Sequence, residues 1–250
     1  MFSVEGQTVL VTGGTRGIGR GIASAFLDAG AEVYACARTP PADTEDRAVR
    51  FIEADVRDSS GCAALIRTIL NESGKLDTLI NNAGGGPAVD AASVSPRFTE
   101  SIVRLNLLAP LFMSQAAHAA LKTTRGSIVN IASVSATRSS PGTMAYGAAK
   151  AGLLSATTSL AQEWAPHVRV NAIIAGLIKT EASQTHYGGE AGIARLEARL
   201  PSGRMGTPAD IASACLYLAS RDAAYVSGAA LEVFGGGEPP SFLTFIEDER

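Results

Sequence analysis

The chain has 250 residues, a formal net charge of −3, a pI near 5.7 and 46% hydrophobic residues. That composition supports a sizeable core. It holds no basic run to meet nucleic acid and no apolar run near the roughly 20 residues that span a bilayer. Cys36, Cys62 and Cys215 are odd in number and scattered, which excludes a disulfide framework or a cysteine metal site and fits a reducing compartment. The start, Met1-Phe2-Ser3-Val4-Glu5, lacks the regions of a secretory signal, so a cytoplasmic protein is expected.

Strand-like apolar runs alternate with helix-length segments along the chain. Strands are expected at 8–12, 33–37, 49–53, 79–81, 127–131, 168–174 and 230–234. Helices are expected at 17–29, 59–71, 98–121, 146–164 and 208–219. The strands are near-continuous in apolar character, as in a parallel sheet covered on both faces. Strand–helix repetition implies one α/β doubly wound domain over 1–250, with a Rossmann-type sheet of about seven strands. The segment 179–206 is polar, glycine-containing and irregular, which suits a substrate loop; an ungated surface helix and loop is the alternative.

Thr12-Gly13-Gly14-Thr15-Arg16-Gly17-Ile18-Gly19 follows the first strand and opens the first helix. Glycines there permit a tight turn and close approach to a pyrophosphate, and the helix N-terminus offers free N–H groups. The second strand ends in Cys36-Ala37-Arg38-Thr39, without the carboxylate that would hold an NAD ribose. Arg16 and Arg38 can meet a 2′-phosphate, so NADP(H) is preferred over NAD(H). Asp55, after the third strand, can accept from an adenine amino group or cap the following helix. Asn81-Asn82-Ala83-Gly84-Gly85-Gly86 ends the fourth strand, where a cofactor can lie against small residues and asparagines can satisfy backbone groups.

Tyr146 and Lys150 stand four residues apart, one helical turn, so phenol and ammonium share a face. A fixed cation favours the phenolate. Ser133, thirteen residues upstream of Tyr146, can hold a substrate oxygen. The three groups together can move a proton to or from a carbonyl or alcohol oxygen.

These motifs, in this order and spacing, resemble the short-chain dehydrogenase/reductase family over nearly the whole chain. The resemblance implies that Tyr146 is the general acid/base. Lys150 lowers its pKa and holds the nicotinamide ribose, Ser133 polarises the substrate oxygen, and Asn106 supports a water-mediated proton path. It further implies cofactor contacts from Gly13, Thr15, Arg16, Gly17, Ile18 and Gly19, and from Asp55 and Val56 on the adenine side. Asn82, Ala83 and Gly84, then Gly176, Ile178 and Thr180, complete that set; Ser135 reads as a pocket or loop residue. Two departures stand out. Ala175-Gly176 replaces the family's Pro-Gly and loosens a turn, and Phe234-Gly235-Gly236-Gly237 replaces Asp-Gly-Gly and alters packing at the last strand.

The activity so implied is hydride transfer between NADP(H) and a ketone or secondary alcohol of small to medium size. Ala88, Val89, Met144 and Leu177 suggest a mainly apolar pocket. A 3-oxoacyl thioester reductase is an alternative, disfavoured for a carrier-protein substrate because Ser127 and Pro166 stand where basic residues are expected. A non-catalytic, cofactor-sensing or scaffolding protein is the alternative of another class. Helices 98–121 and 146–164 carry small and apolar residues, and the family resemblance implies a homotetramer, or homodimer, paired through them. The apolar tail Glu238-Pro239-Pro240-Ser241-Phe242-Leu243 reads as a segment that docks on a neighbouring subunit.

Overall fold

Seven short segments pair into one parallel sheet: β1 (Thr8–Thr12), β2 (Glu32–Ala37), β3 (Arg50–Glu53), β4 (Thr78–Asn81), β5 (Ser127–Ser133), β6 (Arg169–Ala175) and β7 (Ala230–Val233). The computed structural model describes residues 3–40, 48–183 and 187–239. The strand order is β3-β2-β1-β4-β5-β6-β7. The central strands β1 and β4 are buried along their whole length, which explains their unbroken apolar sequences. The edge strand β7 is exposed over most of its length.

The helices are α1 (Gly17–Asp28), α2 (Ser59–Ser73), α3 (Pro96–Val103), α4 (Ala109–Thr124), α5 (Met144–Glu163), α6 (Gly189–Glu197) and α7 (Pro208–Ala219). One core layer packs Ile22 and Phe26 of α1 and Ile211, Cys215 and Leu218 of α7 against Val9, Val11 and Ile173. The opposite layer packs Leu65 and Ile69 of α2 and Met113 and Leu121 of α4 against Leu10, Tyr34, Leu79 and Ile128. All three cysteines are free and buried. Burial pushes the Cys36 thiol up to about 12 and the Cys62 thiol to about 11, so both behave as small core residues.

The chain order reverses between β1 and β4. The crevice outside the carboxyl ends of these two strands is the topological switch point at which such sheets bind ligands. Gly13 follows β1 and Asn82 follows β4, so the sheet itself brings the two glycine- and asparagine-bearing motifs together.

Two expectations change. The helix expected at 98–121 is three pieces: α3, a π-helical turn at Arg104–Leu108, and α4. Pro110 has no N–H to give the carbonyl of Asn106, and its ring crowds that carbonyl, so the chain widens by one residue there. The irregular segment 179–206 holds α6, as its surface-helix alternative has it; residues 184–186 of that segment, like the tail from 240 on, lie outside the described residues.

Candidate active site

The glycine turn is held from below by β4. The Thr12 hydroxyl accepts the N–H groups of Asn82 and Ala83, each at 3.0 Å. The Asn82 amide donates to the carbonyls of Thr12 at 2.9 Å and Gly13 at 3.2 Å. A β-carbon at Gly19 would collide with the Gly13 carbonyl and the Asn82 amide, so the first turn of α1 sits directly on the strand end. Thr15, Arg16, Gly17 and Ile18 complete the connection. Arg16 is the N-cap residue and its side chain makes no cap bond, so the amides of α1 are left for a ligand.

The adenine side differs in detail from the sequence reading. Asp58 caps α2, accepting from Ser60 N–H and Gly61 N–H at 3.1 Å each. Asp55 is not the cap: its carboxylate is clasped by Arg57, Nε at 2.9 Å and Nη2 at 2.5 Å. The Arg57 hydrogen bonds hold the Asp55 carboxyl below its usual range, and the nearby charge of Arg38 acts the same way. Arg38 and Arg16 are exposed at the ends of β2 and of the glycine turn, with no carboxylate on the end of β2. Val56 beside Asp55 is buried. Arg57 is the residue here that sequence spacing did not single out.

The two asparagines of the β4 motif do different work. Asn82 secures the backbone as expected. Asn81 points into the core, donating to the Asn130 side chain at 2.9 Å and to Ser114 at 3.1 Å; Asn130 in turn donates to Thr157 at 2.9 Å. This buried chain links β4, β5, α4 and α5 beneath the site.

Ser133 ends β5, and Tyr146 and Lys150 lie on the first turns of α5. The Ser133 hydroxyl lies close enough to the Tyr146 phenol to pull its pKa down, and it accepts Ser135 N–H at 3.2 Å. The Ser135 side chain instead bonds Ser140 at 3.0 Å, a loop role. Lys150 Nζ lies 5.8 Å from the centre of the Tyr146 ring and donates to the Ile131 carbonyl at 2.7 Å. Burial pushes the Tyr146 phenol up, with Ser133 acting in the opposite direction. Burial pushes the Lys150 ammonium down to about 8.

Asn106 sits in the π turn and is fully buried. Its side chain accepts Gly85 N–H at 2.8 Å and donates to the Gly85 carbonyl at 2.9 Å. A β-carbon at Gly84 would stand 2.7 Å from Asn106 Oδ1 and 3.2 Å from Lys150 Nζ, so the Asn-Asn-Ala-Gly turn, the π turn and α5 meet at one point.

An apolar pocket opens beside Tyr146, walled by Pro87, Val89, Val94, Phe98, Ile102 and Met144. Val89 and Met144 are therefore pocket residues. Ala88 packs instead towards Gly142. Leu177 turns away; it packs with Ile193, Leu200 and Met205 and lines a separate cleft beside Arg204, Asp210 and Phe234. Tyr187, unremarked in the sequence, lies close enough to Tyr146 for that phenol's charge to bear on its own. Arg138 and Glu238 form an ion pair that joins the β5–α5 loop to the C-terminal segment, and both also act on Tyr187.

Gly176, Ile178 and Thr180 leave the end of β6. Ala175 is itself a strand residue, paired with Ser133 on one side and Val233 on the other. The turn after it is tied by Gly176 N–H to the Val233 carbonyl at 3.1 Å, so the missing proline does not loosen it. Phe234 packs with Leu154 over Ala132, Val134 and Ile174. A β-carbon at Gly176 would stand 2.6 Å from Phe234 Cβ, so the turn after Ala175 packs directly against Phe234. Ser127 is buried in the sheet, bonded to Thr78 at 3.2 Å, and so is no guide to a carrier-protein surface.

The fold and this arrangement define a doubly wound α/β protein with a dinucleotide-type turn beside a Ser-Tyr-Lys cluster. A family model described as enoyl-(acyl carrier protein) reductase matches residues 13–237. The chain is 34% identical to 2-dehydro-3-deoxy-D-gluconate 5-dehydrogenase of Escherichia coli K12, over 94% of this chain and 96% of that protein. It is 34% identical to a 3-oxoacyl-acyl-carrier-protein reductase of Vibrio harveyi, over 94% and 98%. Ligand-free aldohexose dehydrogenase of Thermoplasma acidophilum superimposes with a TM-score of 0.89 at 33% identity, covering 94% of this chain and 96% of that one. The chain belongs to the short-chain dehydrogenase/reductase family of oxidoreductases, which use nicotinamide cofactors.

Proposed function

We propose that this protein interconverts a ketone and a secondary alcohol with NADP(H) as hydride carrier, with Tyr146 as general acid/base. The observation that carries the reading is the surroundings of Tyr146: Ser133 close enough to lower its phenol, Lys150 Nζ 5.8 Å from its ring, and an apolar pocket that it walls.

The site suits the dinucleotide. The N-terminus of α1 is uncapped, Gly19 lets it sit on the strand end, and the exposed Arg16 and Arg38 lie at the glycine turn and just after β2. These two arginines would hold a 2′-phosphate, which favours NADP(H) over NAD(H). Asp55, Val56, Asn82, Ala83, Gly84, Gly176, Ile178 and Thr180 would line the rest of its path. When bound, the nicotinamide supplies or accepts the hydride.

The protein's own part is position and proton transfer. In the reducing direction the Tyr146 O–H gives its proton to the carbonyl oxygen, and Ser133 donates a hydrogen bond to the same oxygen as charge develops there. Lys150 shares the helix face of Tyr146 and would favour the phenolate when charged; in the free protein burial of the phenol dominates and raises it. Asn106 fixes the Gly85 backbone through its side chain. Its carbonyl, which Pro110 cannot engage, would hold a water on the proton path from Lys150.

The pocket favours a substrate of small to medium size with an apolar portion next to its oxygen-bearing carbon. The named activities of the relatives are consistent with an oxidisable or reducible carbon–oxygen group. A cytoplasmic homotetramer, paired through α4 and α5, fits the small outward residues Ala119, Ala148, Ala151 and Ser155 on those helices. Among the described residues no helix is long and apolar enough to cross a membrane.

Tyr146→Phe tests the assignment. With a ketone found by screening NADPH oxidation, kcat falls by about 10³-fold or more while NADPH still binds. A variant that keeps most of its kcat refutes the role. The wild-type enzyme shows higher kcat/KM with NADPH than with NADH; the reverse order refutes the cofactor preference.

A further inference from the structure

Arg20, on the second turn of α1, donates from Nη2 to Glu181 Oε1 at 2.6 Å. The bond spans 161 residues of sequence and joins α1 to the segment that leaves β6. The other carboxylate oxygen of Glu181 reaches the glycine turn. A β-carbon at Gly17 would stand 3.8 Å from Glu181 Oε2 and 3.5 Å from Thr180 Cγ2. Thr180 and Glu181 therefore lie over the first residue of α1.

That helix end has no anion of its own. Arg16 gives no side-chain cap, and the first turn contains no acidic residue. Free N–H groups and the positive end of the helix dipole attract negative charge, and in this fold the dinucleotide pyrophosphate is the anion they receive. Glu181 brings a carboxylate from a distant segment to the edge of that place.

We propose that Glu181 and Arg20 form a lock on the dinucleotide site: the Glu181 carboxylate stands at the phosphate-binding turn in the free protein, and an incoming pyrophosphate expels it. Expulsion breaks the ion pair with Arg20. It also moves the root of the 179–206 segment, because Thr180 N–H donates to Ser183 Oγ at 2.7 Å and ties that turn into one unit. Both side chains of the pair are about half exposed, 49% and 57%, so it is weak enough for a doubly charged ligand to displace. Dinucleotide binding is thereby coupled to the segment that carries Tyr187, whose phenol feels that of Tyr146. This rests on the nucleotide reading of the glycine turn and is independent of the roles of Tyr146 and Lys150.

The test is direct binding, followed by the fluorescence of NADPH and of NADH, on the wild type and on Glu181→Gln. The variant keeps its length and lies on the surface. Its Kd for both nucleotides falls about three- to tenfold, the range expected when a partly screened carboxylate no longer competes with a phosphate. An equal or higher Kd overturns the lock. A wild type that binds neither nucleotide overturns the nucleotide reading as well, which is a different result. Amide hydrogen exchange at 180–183 gives a second readout. In the wild type it changes when NADPH binds, and in Glu181→Gln it is already near the bound level without ligand. Identical exchange in the two free proteins overturns the proposal.

Discussion

The two sides of the cleft are built on different principles. The side at β1 and β4 is made of backbone: Gly13, Gly19 and Gly84 bring main chains together, and Asn82 and Asn106 tie them with side-chain amides. The side at α3, the β5–α5 loop and the segment after β6 is made of side chains: Phe98, Ile102, Met144, Tyr187 and the Arg138–Glu238 pair. A backbone site suits a ligand whose phosphates never change. A side-chain site changes with each substitution, which suits a family whose members act on different substrates over a common carbon–oxygen chemistry.

The comparison breaks first at Gly19. Gly19→Ala places a β-carbon against the Gly13 carbonyl and the Asn82 amide, and no rotamer removes it. Nucleotide Kd should rise by about 100-fold or more, and stability should fall by about 2 kcal/mol or more. Fluorescence titration and urea unfolding read the two, and a variant that binds normally would show that the turn has room to spare.

Lys150→Met comes next and should separate activity from stability. Its kcat should fall by about 10²-fold or more. The fold should gain, because Lys150 is buried and burial holds its pKa at about 8, below the ordinary lysine value of 10.5. The cost of burying its charge is fully present below about pH 8 and fades as pH rises towards 10.5, so wild-type stability rises across that window. The variant should be more stable by about 1–3 kcal/mol at pH 7, with the gain shrinking above pH 8. Urea midpoints at pH 7 and pH 10 check the sign; a destabilised variant at pH 7 would mean that the bond to Ile131 outweighs the buried charge.

The smallest effect belongs to the tunable wall. Phe98→Ala should raise KM for an apolar ketone by about tenfold, from roughly 1.4 kcal/mol of lost apolar contact, and leave kcat and nucleotide Kd near wild type. A fall in kcat with unchanged KM would place Phe98 in the reacting geometry instead.

Much of this protein was legible in its residues because two periodicities and one motif order carry the information. Strand β1 and helix α7 fall where apolar runs and a Thr-Pro helix start place them. The candidate catalytic residues follow from one-turn spacing on a helix. The π turn was also written in the chain, at Pro110, but helical periodicity on either side masks a one-residue widening. Helix α6 was legible only as the surface-helix alternative, because Gly188, Gly189 and Gly192 and the polar residues around it break the local pattern. The Asp55–Asp58 distinction was not legible, since both stand before α2 and only the strand's end geometry gives Arg57 to one and the helix amides to the other.

By itself the sequence determined the alternation of strands and helices, and with it the parallel sheet, because burial on both faces demands continuous apolar strands. It also determined the order of the motifs. Tertiary structure alone decided which groups meet: Asn106 with Gly85, Lys150 with the Ile131 carbonyl, Phe234 with Gly176, and Glu181 with Arg20. Each of these contacts joins elements far apart in sequence, and distances of that kind are set by how helices pack on a twisted sheet, which local pattern does not encode.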